Sequence, residues 1–80
     1  MKPSKKLIFY TKPDCPLCEK ALRVIISVQK QIDFELEITD ITQNESLFER
    51  FCFDIPVGLL DGATLFRGRV SEDELWAALR

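Results

Sequence analysis

The tetrad Cys15-Pro16-Leu17-Cys18 constrains this chain more than any other feature, because it stands where a strand pattern gives way to a helix pattern. The segment from Lys6 to Thr11 is apolar on both faces, which is typical of a central, buried strand. Pro13-Asp14 ends that strand, and a helix is predicted from about Pro16 to Lys30. Pro16 suits the first helical position, where its missing N–H would have no partner anyway. The two thiols, three positions apart at a helix start, can face the same way.

A second strand and a second helix are predicted in the middle of the chain. Residues 34–39 alternate apolar and polar side chains, so this strand buries one face less completely and is expected at a sheet edge. Thr42 and Glu45 form a capping-box pattern, which predicts a helix through about Phe51.

A hairpin and a third helix are predicted after residue 55. Asp61-Gly62 is a two-residue turn pattern between strands 57–60 and 63–66, which it makes antiparallel. Ser71 and Glu74 form a second capping box. It opens a helix with an inward face formed by Leu75, Trp76 and Leu79.

These elements predict an α/β fold with the order βαβαββα. The first βαβ unit makes strands one and two parallel, and the final hairpin adds an antiparallel pair. The result is a four-stranded mixed sheet flanked by three helices on both faces.

Composition limits the class of protein. Eighty residues suffice for one domain, taken as residues 1–80. With 46% apolar and 30% charged residues, the chain has the profile of a soluble globular protein. Its net charge of −2 argues against nucleic-acid binding, and its apolar runs are too short for a signal peptide or a membrane span. A cytoplasmic monomer is therefore expected.

The three cysteines favour reactivity over structure. A bridge between Cys15 and Cys18 would close a very small loop and restrict the unfolded chain little. A closed zinc site needs four ligands, whereas the chain has three cysteines and no histidine. No metal site is therefore predicted, although metal handling through the two thiols of a dimer stays open. Cys52 is interpreted as a buried apolar side chain, with a third redox thiol as the alternative.

The position of each thiol suggests its role. Cys15 falls just before the helix, where unpaired N–H groups and the helix dipole favour a thiolate, so a modestly lowered pKa is expected. Lys12 adds positive potential, whereas Asp14 and Glu19 oppose it. Cys18 lies about one turn inside the helix and should be less exposed. Cys15 is therefore the expected attacking nucleophile, and Cys18 the resolving thiol.

The pattern resembles the glutaredoxin branch of the thioredoxin-like superfamily, in particular its short glutaredoxin-like proteins. The resemblance rests on Thr11-Lys12-Pro13-Asp14-Cys15-Pro16-Leu17-Cys18, on Ile55-Pro56-Val57 and on the closing hairpin with its capped helix. It implies a thioredoxin-like fold and the same roles for the two cysteines. It also implies a cis proline at Pro56 that positions substrate. Lys12, Leu17 and the backbone of Val57 then fall at positions that contact glutathione or another substrate.

The chain departs from the usual glutaredoxin pattern at three places. Leu17 stands where an aromatic residue is usual, Asp54-Ile55-Pro56 replaces Thr-Val-Pro, and Gly68-Arg69 replaces a Gly-Gly pair. Arg69 either crowds the glutathione groove or offers a carboxylate a bidentate partner.

The resulting hypothesis is a dithiol oxidoreductase that reduces protein or glutathione mixed disulfides. It holds no bound cofactor and takes its electrons from glutathione. One alternative is a redoxin reduced by a flavoprotein of the thioredoxin-reductase type. Another is a non-catalytic module of the same fold that binds an extended peptide beside Pro56.

Overall fold

The computed structural model describes residues 5–80 and confirms the predicted βαβαββα order. The predicted domain also includes residues 1–4, which lie outside the described residues. The elements are β1 (Lys6–Thr11), α1 (Pro16–Gln29), β2 (Glu35–Asp40), α2 (Glu45–Phe51), β3 (Val57–Leu60), β4 (Ala63–Arg67) and α3 (Glu72–Leu79). A short 3-10 helix, Ile41–Gln43, precedes α2 and was not predicted.

The sheet has the strand order β2-β1-β3-β4, so β1 is central and β2 is an edge strand, as predicted. β1 pairs parallel with β2 and antiparallel with β3, and β3 pairs antiparallel with β4. Leu7 and Phe9 on β1 are completely buried, whereas Ile38 on β2 is 51% exposed. The continuous and the alternating sequence patterns therefore correspond to the central and the edge positions.

Helices cover both faces of the sheet. α1 and α3 pack on the face that carries Leu7 and Phe9, and α2 lies on the other face, where Phe51 stacks on Tyr10 with ring centroids 4.9 Å apart. The main core contains the side chains of Leu7, Phe9, Cys15, Cys18, Ala21, Ile25, Val28, Phe34, Phe66, Leu75 and Leu79. Both thiols of the tetrad therefore border the core.

The hairpin and the last helix form as predicted. Asp61 and Gly62 both have positive φ, 49° and 90°, and they bring Leu60 opposite Ala63. Such a turn favours glycine because two successive residues are left-handed. The capping box of α3 is present: Ser71 Oγ accepts the Glu74 N–H and Glu74 Oε1 accepts the Ser71 N–H.

The predicted capping box between Thr42 and Glu45 is wrong. The Thr42 N–H and hydroxyl both bond to Asp40 Oδ1, at 2.9 and 2.6 Å, and this contact caps the 3-10 helix. α2 begins at Glu45 instead, capped by Asn44, whose Oδ1 accepts the Leu47 N–H at 3.0 Å. The Asp40 carboxylate captures Thr42 because an aspartate readily bonds the backbone two residues further on.

The same contact predicts a contribution of Asp40 to acid stability. The Thr42 hydroxyl, followed by the Thr42 N–H, lowers the pKa of the Asp40 carboxyl below its ordinary value. A lowered pKa in the folded state stabilises the fold above the ordinary value near ~3.9, and this stabilisation is lost as pH falls through the lowered pKa. In an NMR titration, we expect the Asp40 carboxyl to show a midpoint below ~3.9, and Thr42→Val should raise it. A midpoint unchanged by Thr42→Val would contradict this cause.

Candidate dithiol site

Cys15 is the N-cap of α1, and its sulfur takes part in capping the helix. Its backbone is extended, with φ −119° and ψ 100°, and its Sγ accepts the Cys18 N–H at 3.2 Å. The Cys15 carbonyl accepts the first helical hydrogen bond, from the Glu19 N–H at 3.0 Å. The Cys15 sulfur therefore receives a backbone donor that a helix start otherwise leaves unpaired. Such a donor favours a negative charge on that sulfur.

The residues beside Cys15 shape this helix start. Asp14 has φ 57°, the left-handed conformation that aspartate tolerates better than most side chains, and it turns the chain from β1 into the cap. Pro16 occupies the first turn of α1, where the absent N–H costs no hydrogen bond. Both residues therefore act locally to place Cys15 at the cap.

The two sulfurs lie at disulfide distance, with the Cα atoms 5.2 Å apart. Cys15 is 9% exposed and Cys18 is 2% exposed. The predicted difference in exposure between the two thiols is present, since Cys18 is covered by the core that it borders. An incoming reactant therefore reaches Cys15 before Cys18.

The other predicted site residues follow the ends of neighbouring strands. Tyr10 pairs with Val57, so the end of β1 and the start of β3 meet at one edge of the sheet. Lys12, half-buried, follows β1 there, and the buried Pro56 precedes β3 with a cis Ile55–Pro56 bond. The Pro56 carbonyl accepts the Gly68 N–H at 2.7 Å, which joins the segment after β4 to the same edge. The Val57 side chain is completely buried.

Leu17 points away from this edge into a cleft between α1 and the segment that follows β4. The cleft has a volume of about 250 Å³ and is lined by Leu17, Lys20, Ala21, Val24, Arg69 and Val70. Leu17 is 43% exposed although it is apolar and adjoins both cysteines. Sequence reasoning identified Leu17 and Arg69 but not Lys20, whose spacing of three residues from Leu17 on one helix would have revealed it.

Cys52 does not have the predicted environment. It is half-buried at the end of α2 rather than a core side chain, and the adjacent Phe53 is 98% exposed. The thiol ends up there because the helix stops at this point, before the chain can turn inward. Arg67, interpreted from sequence as an exposed edge residue, lies 3.9 Å from the carboxylate of Asp54.

Two further properties concern the described residues only. Residues 5–80 contain no group of three or more cysteine, aspartate, glutamate or histidine side chains arranged to hold a metal ion. Each helix in this range is too short or too polar to cross a bilayer.

Comparisons with known proteins agree with this geometry. The family model described as Glutaredoxin-like domain (DUF836) matches residues 6–80. A glutaredoxin-like protein of Dictyostelium discoideum is 35% identical over 74 residues, covering 85% of this chain and 68% of that protein. A protein of Methanothermobacter thermautotrophicus named "Probable Thioredoxin" is 26% identical over 73 residues, covering 88% of this chain and 86% of its own.

Among solved structures, the chain is similar to the solution structure of protein Ne2328 from Nitrosomonas europaea. The TM-score is 0.82 at 29% identity, with 100% of this chain and 95% of that chain covered. The thioredoxin of Halobacterium salinarum has a TM-score of 0.73 at 21% identity, with 94% of this chain and 71% of that chain covered, a likeness of fold. The predicted thioredoxin-like fold is confirmed.

Proposed function

Since this chain belongs to the glutaredoxin-like domain family, we propose that it is a dithiol oxidoreductase that reduces disulfides of other proteins. The observation that carries the proposal is the hydrogen bond from the Cys18 N–H to the Cys15 sulfur at the start of α1. It provides a backbone donor at the more exposed of two sulfurs that lie at disulfide distance. Compartments that keep thiols reduced, such as the cytoplasm, suit this activity.

The first step is an attack by the Cys15 thiolate on one sulfur of the substrate disulfide. The substrate S–S bond breaks as the bond between Cys15 and the substrate sulfur forms. The other substrate sulfur leaves as a thiolate and takes a proton from water. The Cys18 N–H stabilises the reactive thiolate form of Cys15 before this attack.

The second step releases the substrate. Cys18 gives its proton to solvent and attacks the Cys15 sulfur, so the mixed disulfide breaks and the bond between Cys15 and Cys18 forms. The Cα separation of 5.2 Å lies within the range of disulfides, so the backbone of α1 need not move. In total the substrate gains two electrons and two protons, and the protein dithiol becomes a disulfide.

The oxidised protein then needs a reductant. We propose glutathione, two molecules of which would become one glutathione disulfide. Lys12, Leu17 and the backbone at Val57 are the proposed contacts, and Pro56 is proposed to position the substrate chain. A flavoprotein of the thioredoxin-reductase type is the rival donor, and the relative named as a thioredoxin keeps it in view. Incubating the oxidised protein with each donor separately, and following loss of the disulfide, distinguishes them.

The test of the proposed roles is the variant Cys18→Ser. It keeps the attacking thiol and removes the resolving one, so we expect a stable mixed disulfide between Cys15 and substrate. Mass spectrometry of the intact, non-reduced adduct and of its peptides identifies the cysteine involved. In the reduced wild-type protein, iodoacetamide should modify Cys15 first, with a pH midpoint below that of an ordinary thiol near ~8.5.

The matched control is Cys15→Ser, which leaves the resolving thiol alone and should trap no adduct. An adduct on Cys18 in that control, or equal and slow alkylation of both cysteines in the wild type, would contradict the proposed roles. The second result would favour a non-catalytic binding module.

A further inference from the structure

The structure contains a second recognition surface, the cleft lined by Leu17, Lys20, Ala21, Val24, Arg69 and Val70. We propose that this cleft binds an acidic segment of the substrate protein close to its reactive disulfide. The inference rests on the proposed function and adds to it a substrate class: protein disulfides flanked by apolar and carboxylate side chains. Three properties of the cleft carry it, namely its position, its lining and its charge.

The cleft begins beside the dithiol and leads away from it. Leu17, which lies between the two cysteines, forms one end, and Val24 lies two helical turns further along α1. Seven residues of helix rise about 10 Å. An extended peptide advances about 3.3 Å per residue, so a substrate bound at Cys15 would lay its next two or three residues along the cleft.

The lining combines apolar walls with two cations. Leu17, Ala21, Val24 and Val70 provide the apolar surface, and their exposed part favours an apolar substrate side chain. Lys20 and Arg69 provide positive charge from α1 and from the segment after β4. A flexible ammonium and a planar guanidinium both bind carboxylates, and the guanidinium can do so through two hydrogen bonds.

Both cations are available to a ligand. The ion pairs within residues 5–80 are Lys6–Glu37, Arg23–Glu19 and Arg67–Asp54, so neither Lys20 nor Arg69 takes part in one. The nearest acids in sequence have other contacts. Glu19 lies 4.0 Å from Arg23, and Glu72 accepts the Ser27 hydroxyl at 3.2 Å. Although the chain carries a net charge of −2, the lining of the cleft contains two cations and no acidic residue.

The test compares two peptides that carry the same cysteine as a mixed disulfide with mercaptoethanol. Each has leucine next to the cysteine on both sides; beyond it, one peptide has two acidic residues and the other two serines, so either chain direction presents them to the cleft. For the wild type we expect kcat/KM to be about threefold to tenfold higher for the acidic peptide, because solvent-exposed charge pairs are individually weak. Lys20→Gln/Arg69→Gln should remove this preference and leave the serine peptide within about twofold.

The matched control is Lys30→Gln/Arg80→Gln, which removes the same charge at the end of α1 and at the end of α3, outside the cleft. It should keep the preference, whereas raising the salt concentration should weaken it in the wild type. Equal rates for both peptides, or a preference that survives Lys20→Gln/Arg69→Gln, would overturn the inference. So would a loss in that variant confined to a glutathione mixed disulfide, since the cleft would then serve glutathione.

A small neutral disulfide separates the two levels of the proposal. 2-Hydroxyethyl disulfide needs the thiols but is too small to fill the cleft. If the wild-type protein fails to reduce it, the proposed function is wrong and the inference is overturned with it. If the wild-type protein reduces it but does not distinguish the two peptides, only the inference about the cleft is overturned.

Discussion

Replacing Cys15 by serine should lower the rate of disulfide reduction by at least about a hundredfold, because a serine hydroxyl forms no comparable nucleophile at neutral pH. The loss should be the same with glutathione and with a thioredoxin-reductase-type flavoenzyme as donor, since both depend on the same attack. The rate of reduction of 2-hydroxyethyl disulfide, followed with each donor, measures it.

The fold should survive this change, which makes the loss of activity interpretable. Serine is a favoured N-cap residue, so its hydroxyl can accept the Cys18 N–H in place of the sulfur. Thermal unfolding should therefore give a transition close to that of the wild type. Cys52→Ser is the matched cysteine control, because Cys52 ends α2 outside the pair, and it should keep full activity. Substantial activity in Cys15→Ser, or its loss in Cys52→Ser, would argue against the assignment.

Replacing Gly58 by alanine should destabilise the fold by about 2–4 kcal/mol, since overpacking a tight core costs this much or slightly less. Gly58 on β3 lies opposite Phe66 on β4, and a Cβ added at Gly58 would overlap the Phe66 ring. That ring is 5% exposed and packs near Phe9, with centroids 6.4 Å apart, so it has little room to move. Denaturant unfolding measures the change in the free energy of unfolding.

A double-mutant cycle separates this overlap from the general effect of alanine in a strand. Phe66→Leu shortens the opposing side chain, so in that background Gly58→Ala should cost less than about 1 kcal/mol. Thr64→Ala, an exposed change on the same strand as Phe66, should be close to neutral. An equal cost of Gly58→Ala in both backgrounds would show that the Phe66 ring is not the cause.

Local sequence patterns predicted the elements well where one interaction dominates. The Asp61-Gly62 turn and the Ser71–Glu74 capping box formed because each depends on neighbouring residues alone. The prediction failed where two local partners compete. Thr42 could be paired with Glu45 by pattern, yet the Asp40 carboxylate was closer along the chain and took both Thr42 donors.

The environment of a side chain was harder to predict than its secondary structure. Trp76 was expected to face inward and does pack against the core, but it stays half exposed. Cys52 was expected to be buried and is not. In both cases the exposure depends on how far neighbouring elements extend over the residue, which no local pattern records.

The sequence by itself determined the place of the two thiols at a helix start, because a proline-containing tetrad between a buried strand and an amphipathic helix specifies that start locally. It also predicted the strand order, since buried and alternating strand patterns differ. Only the tertiary structure decided that Arg69 meets Lys20 and Leu17 across a cleft. Those residues are about fifty positions apart, and only the packing of the segment after β4 against α1 brings their side chains together.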